Sequence, residues 1–177
     1  FEITIALPEP EDVTIIGNNM MEIGDVQQLE FFVTPEFTSQ SLTWQSSDME
    51  VATVEQGEVT AISEGSTTIT AISNINPEIF QTFIITVVLN NYQINYVLNE
   101  GINNDNNLSE YNLLMPDFTL LEPSRQKYMF LGWYETADFS GNPITVIDTS
   151  RRSDITLYAH WEKIIVTYEI TYHVDGG

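Results

Sequence analysis

The sequence predicts a mainly β fold, with an antiparallel β-sandwich in the first half of the chain and a smaller β-rich unit in the second. The stretch from Leu42 to Ile72 carries most of this prediction, because short apolar runs alternate there with turn residues at regular intervals. Glycine follows a polar residue at Gln56-Gly57 and Glu64-Gly65, as is typical of turns between antiparallel strands. The pair Asn90-Asn91 then marks a boundary without a long linker.

Seven apolar runs before this boundary are predicted to form strands, and in chain order they are Val13–Ile16, Leu29–Val33, Leu42–Trp44, Val51–Val54, Val59–Ile62, Thr67–Ile72 and Thr82–Leu89. Successive side chains of a strand point to opposite faces, so Leu29, Phe31 and Val33 are expected on one face. Seven alternating strands at this spacing predict an Ig-like sandwich. Because the chain has no cysteine, packing around Trp44 is expected to replace the disulfide of antibody domains.

Charge is the most unusual property of the sequence. Its 177 residues include 26 Asp and Glu but five Lys and Arg, and the first basic residue is Arg125. Residues 1–90 carry 14 acids and no base, a charge of −14, and residues 91–177 carry 12 acids and five bases, a charge of −7, which together give the net charge of −21. Such a surface repels phosphates, so we expect no nucleic-acid partner.

The ends and the composition of the chain limit its class further. No run of 18 apolar residues occurs, so we expect no membrane insertion in this fragment. The first ten residues lack the basic start and apolar core of a signal peptide, which favours a mature chain or a fragment. The absence of cysteine excludes thiolate nucleophiles and Cys-ligated metals.

Residues 12–88 resemble the bacterial Ig-like domain of group 2. The segments that carry the resemblance are Trp44–Asp48, Val51–Val54 and Glu64–Thr67. The resemblance implies a stalk or an adhesin spacer on a bacterial surface.

The second half of the chain is predicted from aromatic and polar landmarks. Its expected elements are a strand at Tyr92–Leu98, an Asn-rich loop at Ile102–Asn107, a short helix at Pro123–Lys127, a strand at Tyr128–Tyr134, a turn at Asp138–Pro143, a short strand at Ile144–Ile147 and a last strand at Ile155–Trp161. The helix is expected because proline suits a first helical turn.

These landmarks resemble the Listeria–Bacteroides repeat, also called the internalin B-repeat, over residues 92–162. Its carriers are the Phe-x-Gly-Trp-Tyr motif at Phe130–Tyr134 and the Leu-Tyr-Ala-x-Trp motif at Leu157–Trp161. The resemblance implies a small β-grasp-like α+β module in an extracellular protein. Two positions depart from the family, since Lys127 replaces a glycine and Glu100-Gly101 replaces a pair of glycines.

A further repeat is expected at the end of the chain. Tyr168–Gly177 repeats the pattern of Tyr92–Gly101 at an offset of 76 residues, which is typical of a tandem array. The predicted organisation is an extension or linker at 1–11, the Ig-like domain at 12–90, the repeat module at 91–162, and a linker with a truncated further repeat at 163–177.

The sequence predicts no catalytic, cofactor-binding or metal-binding residue, and no cofactor. His160 and His173 lack a partner at metal-ligand spacing and are expected to be structural or solvated. Asn103, Asp105 and Asn107 have the odd spacing of a calcium loop, but Leu108 and Leu114 occupy its sixth and twelfth positions. A polar loop is the simpler interpretation, and a calcium site there, or at the Asn90-Asn91 junction, stays an alternative.

Six aromatic residues allow two interpretations, and they are Tyr128, Phe130, Trp133, Tyr134, Tyr158 and Trp161. They favour a hydrophobic core, because a small module needs large side chains, and the alternative is a sugar-binding platform. Lys127 and Lys163 leave a Lys–Asn isopeptide crosslink open in the second half, whereas residues 1–90 contain no lysine.

The predicted function is that of a non-enzymatic, monomeric stalk or adhesion scaffold in a bacterial surface or secreted protein. One alternative is a module that binds a host protein or a glycan. Another is an accessory region of a secreted enzyme whose catalytic domain lies outside this chain.

Overall fold

The structure is a computed structural model that describes residues 7–173. Contacts between residues divide the chain into two compact units, unit 1 at Phe1–Asn90 and unit 2 at Asn91–Gly177. The alternating residues Phe1, Ile3 and Ile5, and the last four residues of the predicted further repeat, lie outside the described part.

The described residues of unit 1 form nine strands, and they are β1 (Asp12–Ile16), β2 (Met20–Glu22), β3 (Val26–Gln28), β4 (Glu30–Thr34), β5 (Leu42–Ser46), β6 (Ala52–Glu55), β7 (Glu58–Ala61), β8 (Gly65–Ser73) and β9 (Phe80–Val88). Their sheets have the orders β2-β9-β8-β5, β3-β7-β6 and β1-β4. All seven predicted strands are confirmed. The prediction missed β2 and β3, because three residues are too few to show an alternating pattern.

The core of unit 1 agrees with the predicted faces. Leu29 and Val33 are buried and Phe31 is half-buried, while Phe32 between them is exposed. Trp44 is only partly buried and packs edge-on against Phe31, with their ring centroids 5.4 Å apart. The tryptophan therefore joins two parts of the core rather than lying at its centre.

The turn predicted at Gln56-Gly57 is confirmed as a two-residue hairpin between β6 and β7. Both residues have positive φ angles, 51° and 85°, as a type I′ turn requires. Glycine adopts this conformation without strain, which explains its place in the turn.

Up to residue 173, unit 2 forms six strands, and they are β10 (Tyr92–Val97), β11 (Glu110–Tyr111), β12 (Phe118–Thr119), β13 (Tyr128–Tyr134), β14 (Val146–Ile147) and β15 (Ile155–Lys163). Four of them form a sheet in the order β11-β10-β15-β13, and β12 pairs with β14 separately. Within the larger sheet β10 and β15 are parallel, and the other pairs are antiparallel. The core beneath includes the fully buried Tyr111, Leu157 and Ala159, and the almost fully buried Trp133.

The prediction of an α+β module is wrong, because the described residues form no helix. Ser124, in the segment predicted as helical, forms an isolated bridge with Ile102. The N–H groups donate to the opposite carbonyls at 2.7 and 2.9 Å. A five-residue helix makes too few hydrogen bonds to offset the cost of its first turn. Pairing with a distant segment satisfies the same backbone groups and is favoured instead.

The two departures from the repeat family fall on strained turns. Glu100 follows Asn99 in a turn closed by a hydrogen bond of 2.9 Å from the Gly101 N–H to the Leu98 carbonyl, and the two φ angles are 49° and 70°. Lys127 has a φ of 66° in the turn before β13. Both departures therefore keep the backbone conformation that glycine adopts most easily.

Candidate functional site

A groove of about 440 Å³ is the candidate site of unit 2. The β10–β15 groove, as it is named here, is lined by Val97, Asn99, Arg125, Ala137, Phe139 and Tyr158–Trp161. Its wall is formed where β10 ends, where β15 passes beside it, and where the loop after β13 folds back. Arg125, from the turn before β13, also lines the groove, so residues from four separate segments of the sequence meet there.

The loop side of the groove is an aromatic stack. The ring of Phe139 lies parallel to the imidazole of His160, with an interplanar angle of 5° and centroids 4.2 Å apart. Tyr134 meets the same imidazole edge-on at 5.6 Å. The Nδ1 atom of His160 is buried and has no hydrogen-bond partner among the described residues.

Phe139 reaches this position through an unfavourable backbone conformation. Its φ of 58° lies in the left-handed region, which costs a non-glycine residue about 1–2 kcal/mol. Hydrogen bonds hold the turn: the Phe139 N–H donates to the Thr136 carbonyl at 3.1 Å, and the Ser140 N–H donates to the Asp138 carboxylate at 3.1 Å. Hydrogen bonds from Ser140 also hold the pKa of Asp138 below its ordinary value. Local bonds and ring stacking therefore offset the strain.

The basic residue that lines the groove, Arg125, is already paired. The Arg125 guanidinium lies 3.8 Å from the centroid of the Tyr128 ring and forms an ion pair with Glu100. The arginine side chain is 17% exposed and the glutamate side chain 82% exposed. A ligand could therefore displace the glutamate more readily than the arginine.

Two polar side chains that line the groove hold the end of β10 to β15. The Asn99 side-chain amide donates to the Ala159 carbonyl at 2.8 Å, and the Trp161 indole N–H donates to the Leu98 carbonyl at 2.9 Å. What the groove offers a ligand is thus ring surface, an imidazole and an ion pair. This arrangement suits stacking and hydrogen bonding.

Three side-chain oxygens of the Asn-rich loop accept internal hydrogen bonds, and they belong to Asn103, Asn104 and Asn107. Asn107 accepts from the Leu121 N–H at 2.7 Å and donates to the Leu121 carbonyl at 2.9 Å. The Asn103 side-chain oxygen accepts from the Asn107 amide at 2.9 Å and from the Asn104 N–H at 3.0 Å. This geometry fits a loop that clips itself to the segment around Leu121, and Asp105 is exposed on its outside.

Three of the six predicted aromatic residues belong to the core of unit 2 or pack against it. Trp133 is buried in it, and Phe130 and Trp161 pack against it. Their centroids lie 5.3–5.4 Å apart in edge-on contacts. Tyr128, Tyr134 and Tyr158 are half-buried, and of these Tyr158 lines the groove.

The other singled-out residues lie apart from the groove's stack. Lys127 and Lys163 are exposed near the paired ends of β13 and β15. His173 is exposed beyond the last strand. Within residues 7–173, no cluster of three or more His, Cys, Asp or Glu side chains suits a metal ion.

Sequence reasoning missed Phe139 and Asn99. The available signal was an aromatic residue inside the polar turn that follows Ala137, where no core position was expected. Asn99 gave a weaker signal, because asparagine tolerates the left-handed conformation of a tight turn.

Unit 2 carries the chain from one end to the other. Its first strand β10 runs parallel to its last described strand β15. Because these two strands point the same way, the chain enters at one end of the unit and leaves it at the opposite end. No helix in the part of the chain that the structure describes is long and apolar enough to cross a membrane.

Comparison with known proteins assigns both units. Residues 13–80 match the bacterial Ig-like domain (group 2), and residues 92–160 match the Listeria-Bacteroides repeat domain. The chain contains a bacterial Ig-like domain at residues 13–80, followed by a Listeria-Bacteroides repeat domain at residues 92–160. Both are non-catalytic modules, of types that are typical of bacterial surface and secreted proteins.

One curated relative is an enzyme. A fructan beta-fructosidase of Streptococcus mutans serotype c is 35% identical over 94 residues, which cover 51% of this chain. The matched part is 7% of the length of that protein. The groove described above belongs to the repeat domain, and residues Tyr158–Trp161 of the Leu-Tyr-Ala-x-Trp motif supply one wall.

Proposed function

We propose that this chain is a non-catalytic spacer in a bacterial surface or secreted protein, where it acts as a stalk for an adhesion scaffold. The parallel orientation of the first and last strands in the repeat domain is the observation that carries this proposal. A module built in this way adds its own length to the path of the chain. A module whose chain enters and leaves at the same end would add little.

The contribution of the repeat domain follows from the register. β10 begins at Tyr92, two residues before Ile94, and Ile94 lies opposite Ile155. β15 ends at Lys163, eight residues after Ile155. The two ends are therefore separated by about ten strand residues, or roughly 30 Å. Buried residues under both strands keep this length fixed.

Charge supports the same role. The −14 charge of the Ig-like half is not balanced by any lysine or arginine. Neighbouring copies on a cell would repel one another, and each would be repelled by an anionic wall. Charge of one sign thus favours stalks that stand apart.

A display experiment tests the spacer. The chain is expressed on cells between an anchor and a binding tag, and capture of tag ligand is measured through a polymer layer of increasing thickness. Capture through the thicker layers should be lost when the repeat domain is deleted and kept when unrelated β-domains of equal length replace the chain. Loss of capture on that exchange would contradict the spacer function, because it would show that this particular surface is needed.

The second candidate is an accessory region of a secreted enzyme that holds the enzyme to a polysaccharide. The similarity to the fructan beta-fructosidase favours it. The β10–β15 groove is the place where a sugar ring would stack, against Phe139 and His160.

Affinity electrophoresis tests the second candidate. The chain should be retarded in a gel that contains fructan, and Phe139→Ala should abolish the retardation. Phe37→Ala is the matched control, because this phenylalanine is 75% exposed and lies in the Ig-like domain. Equal migration with and without fructan would exclude fructan as the ligand.

A further inference from the structure

We propose that the repeat domain is built to carry tension along the chain, and that the β10–β15 pair is the clamp that resists it. This inference rests on the proposed spacer function, because a stalk that holds a cell to a surface is loaded at both ends. The clamp is defined here as β10, β15 and the hydrogen bonds that join them.

The direction of the strands decides how a load acts. Tension pulls the start of β10 one way and the end of β15 the other way. Because the two strands are adjacent and parallel, they are forced to slide past each other along their length. Sliding loads all the hydrogen bonds between them together, whereas peeling would break them one after another.

Side chains lengthen the clamp at both ends. The backbone register joins four residue pairs, from Ile94 and Ile155 to Val97 and Tyr158. Before the first pair, the Gln93 N–H donates to the Asp154 carboxylate at 2.8 Å.

Two more bonds lie beyond the last pair. They run from the Asn99 amide to the Ala159 carbonyl and from the Trp161 indole to the Leu98 carbonyl. These two polar side chains of the β10–β15 groove are thus part of the clamp.

The clamp is also protected from water. β10 and β15 are the two central strands of their sheet, with β11 on one side and β13 on the other. Ile94, Ile155 and Leu157 are buried beneath it. Water therefore has little access to the inner bonds, and a bond that is pulled apart is not readily replaced by one to solvent.

Pulling geometry gives the direct test, and the absence of cysteine makes it simple. In the full chain, Asn91→Cys with Ile164→Cys attaches handles at the start of β10 and just after β15, which shears the clamp. Asn91→Cys with Ser153→Cys attaches them at the starts of both strands, which peels the same bonds. At one loading rate the shearing pair should rupture at clearly higher force, and equal forces would overturn the clamp.

Removal of single hydrogen bonds from the clamp provides a second test. Asn99→Gly removes the side-chain donor but suits the left-handed backbone, and Trp161→Phe removes the indole N–H but keeps a ring. Each should raise the unfolding rate under a fixed shearing load by about fivefold, the effect of losing one hydrogen bond. Under peeling the change should be smaller, because the handles first open the opposite end of the clamp. The same change in both geometries would show that these bonds act only on general stability, and would overturn their role in the clamp.

The two proposals fail separately. Equal rupture forces in the two pulling geometries would contradict the clamp but would not affect the display result for the spacer. Failure of the display experiment would contradict the stalk function, and with it the assumption that the domain is under tension, whatever rupture forces are measured.

Discussion

Lys127 occupies a backbone position that suits glycine. Its φ of 66° is one of the positive values at non-glycine residues, and its side chain is exposed. A side chain in this region costs about 1–2 kcal/mol, and glycine avoids most of it at the expense of a more flexible unfolded chain.

Replacing this lysine should therefore stabilise the repeat domain. We expect Lys127→Gly to raise the stability of the domain by about 1 kcal/mol, or its Tm by about 4 °C or more. Lys127→Ala removes the same charge but keeps the strain, so it should show little change. Calorimetry measures the Tm of both variants. An equal gain in Tm from both would show that the effect comes from the lost charge and not from the backbone strain.

Tyr96 makes the repeat domain sensitive to alkali. Burial raises its pKa from 10.0 to about 12, and its hydroxyl donates to the Leu108 carbonyl at 2.9 Å. The folded state thus favours the neutral phenol, so the stability is complete below pH 10 and is lost as the pH rises towards 12. Burial raises the pKa of Tyr111 as well, which acts in the same direction.

Urea denaturation at increasing pH tests this sensitivity. Tyr96→Phe should cost about 1 kcal/mol at neutral pH through the lost hydrogen bond, and should flatten the alkaline decline. Tyr168→Phe, at an exposed position, is the control and should leave the decline unchanged. A decline that is as steep in Tyr96→Phe as in the original chain would contradict the assignment.

Among the elements, the Asn-rich loop shows how composition misleads. Its residues include the types that bind calcium, but Asn107 uses its amide to hold Leu121 and Asn103. An amide N–H can donate these hydrogen bonds, whereas an ionised carboxylate has no hydrogen to donate. A polar loop held by hydrogen bonds and a calcium-binding loop therefore predict opposite effects of a carboxylate at position 107 on the stability of the domain.

Asn107→Asp separates the interpretations. We expect it to lower the stability of the repeat domain by about 1 kcal/mol, because two donated hydrogen bonds are replaced by repulsion between acceptors. Asn106→Asp adds the same charge at an exposed position and should have little effect. Millimolar calcium should leave the Tm of all three proteins unchanged. A rise of several degrees, largest in Asn107→Asp, would indicate a calcium loop instead.

Element length decided most of the strand predictions. Strands of four or more residues in the Ig-like domain, such as β8 and β9, show alternation and were found from the sequence. β2, β3, β11 and β12 have two or three residues and were missed, because their formation depends on the partner strand beside them. The two-residue β14 is the exception, since it lies within the short strand predicted at Ile144–Ile147. The helix predicted at Pro123–Lys127 failed for the same reason, because Ile102, remote in sequence, takes the backbone groups of Ser124.

At the scale of the whole molecule, the two units have separate hydrophobic clusters. Ile69 is fully buried in the Ig-like domain, and Leu157 is fully buried in the repeat domain. We expect calorimetry to resolve two transitions. Leu157→Ala should lower the free energy of unfolding of the repeat domain, and Ile69→Ala that of the Ig-like domain, each by about 2–5 kcal/mol. Each variant should therefore shift one of the two transitions to lower temperature. If either variant lowered both transitions equally, the domains would fold as one unit.

Salt should distinguish the domains by their charge. The Ig-like half carries −14 with no base, while the repeat half carries −7 with five bases. Raising NaCl from about 0.01 M to about 0.1 M shortens the Debye length from about 30 Å to about 10 Å and so weakens repulsion within each domain. We expect the Tm of the Ig-like domain to rise more than that of the repeat domain. An equal or opposite response would contradict the role given to charge.

The sequence by itself determined the two families, the long strands, the faces that they bury and the charge, because all of these depend on local pattern and composition. Only the tertiary structure decided that β10 lies parallel to β15, that Phe139 stacks on His160, and that Asn99 and Trp161 join the clamp. These contacts join residues that are remote in sequence, or depend on a backbone angle that local propensity disfavours. The free energy that selects them comes from burial and hydrogen bonds that exist only once the sheet has formed.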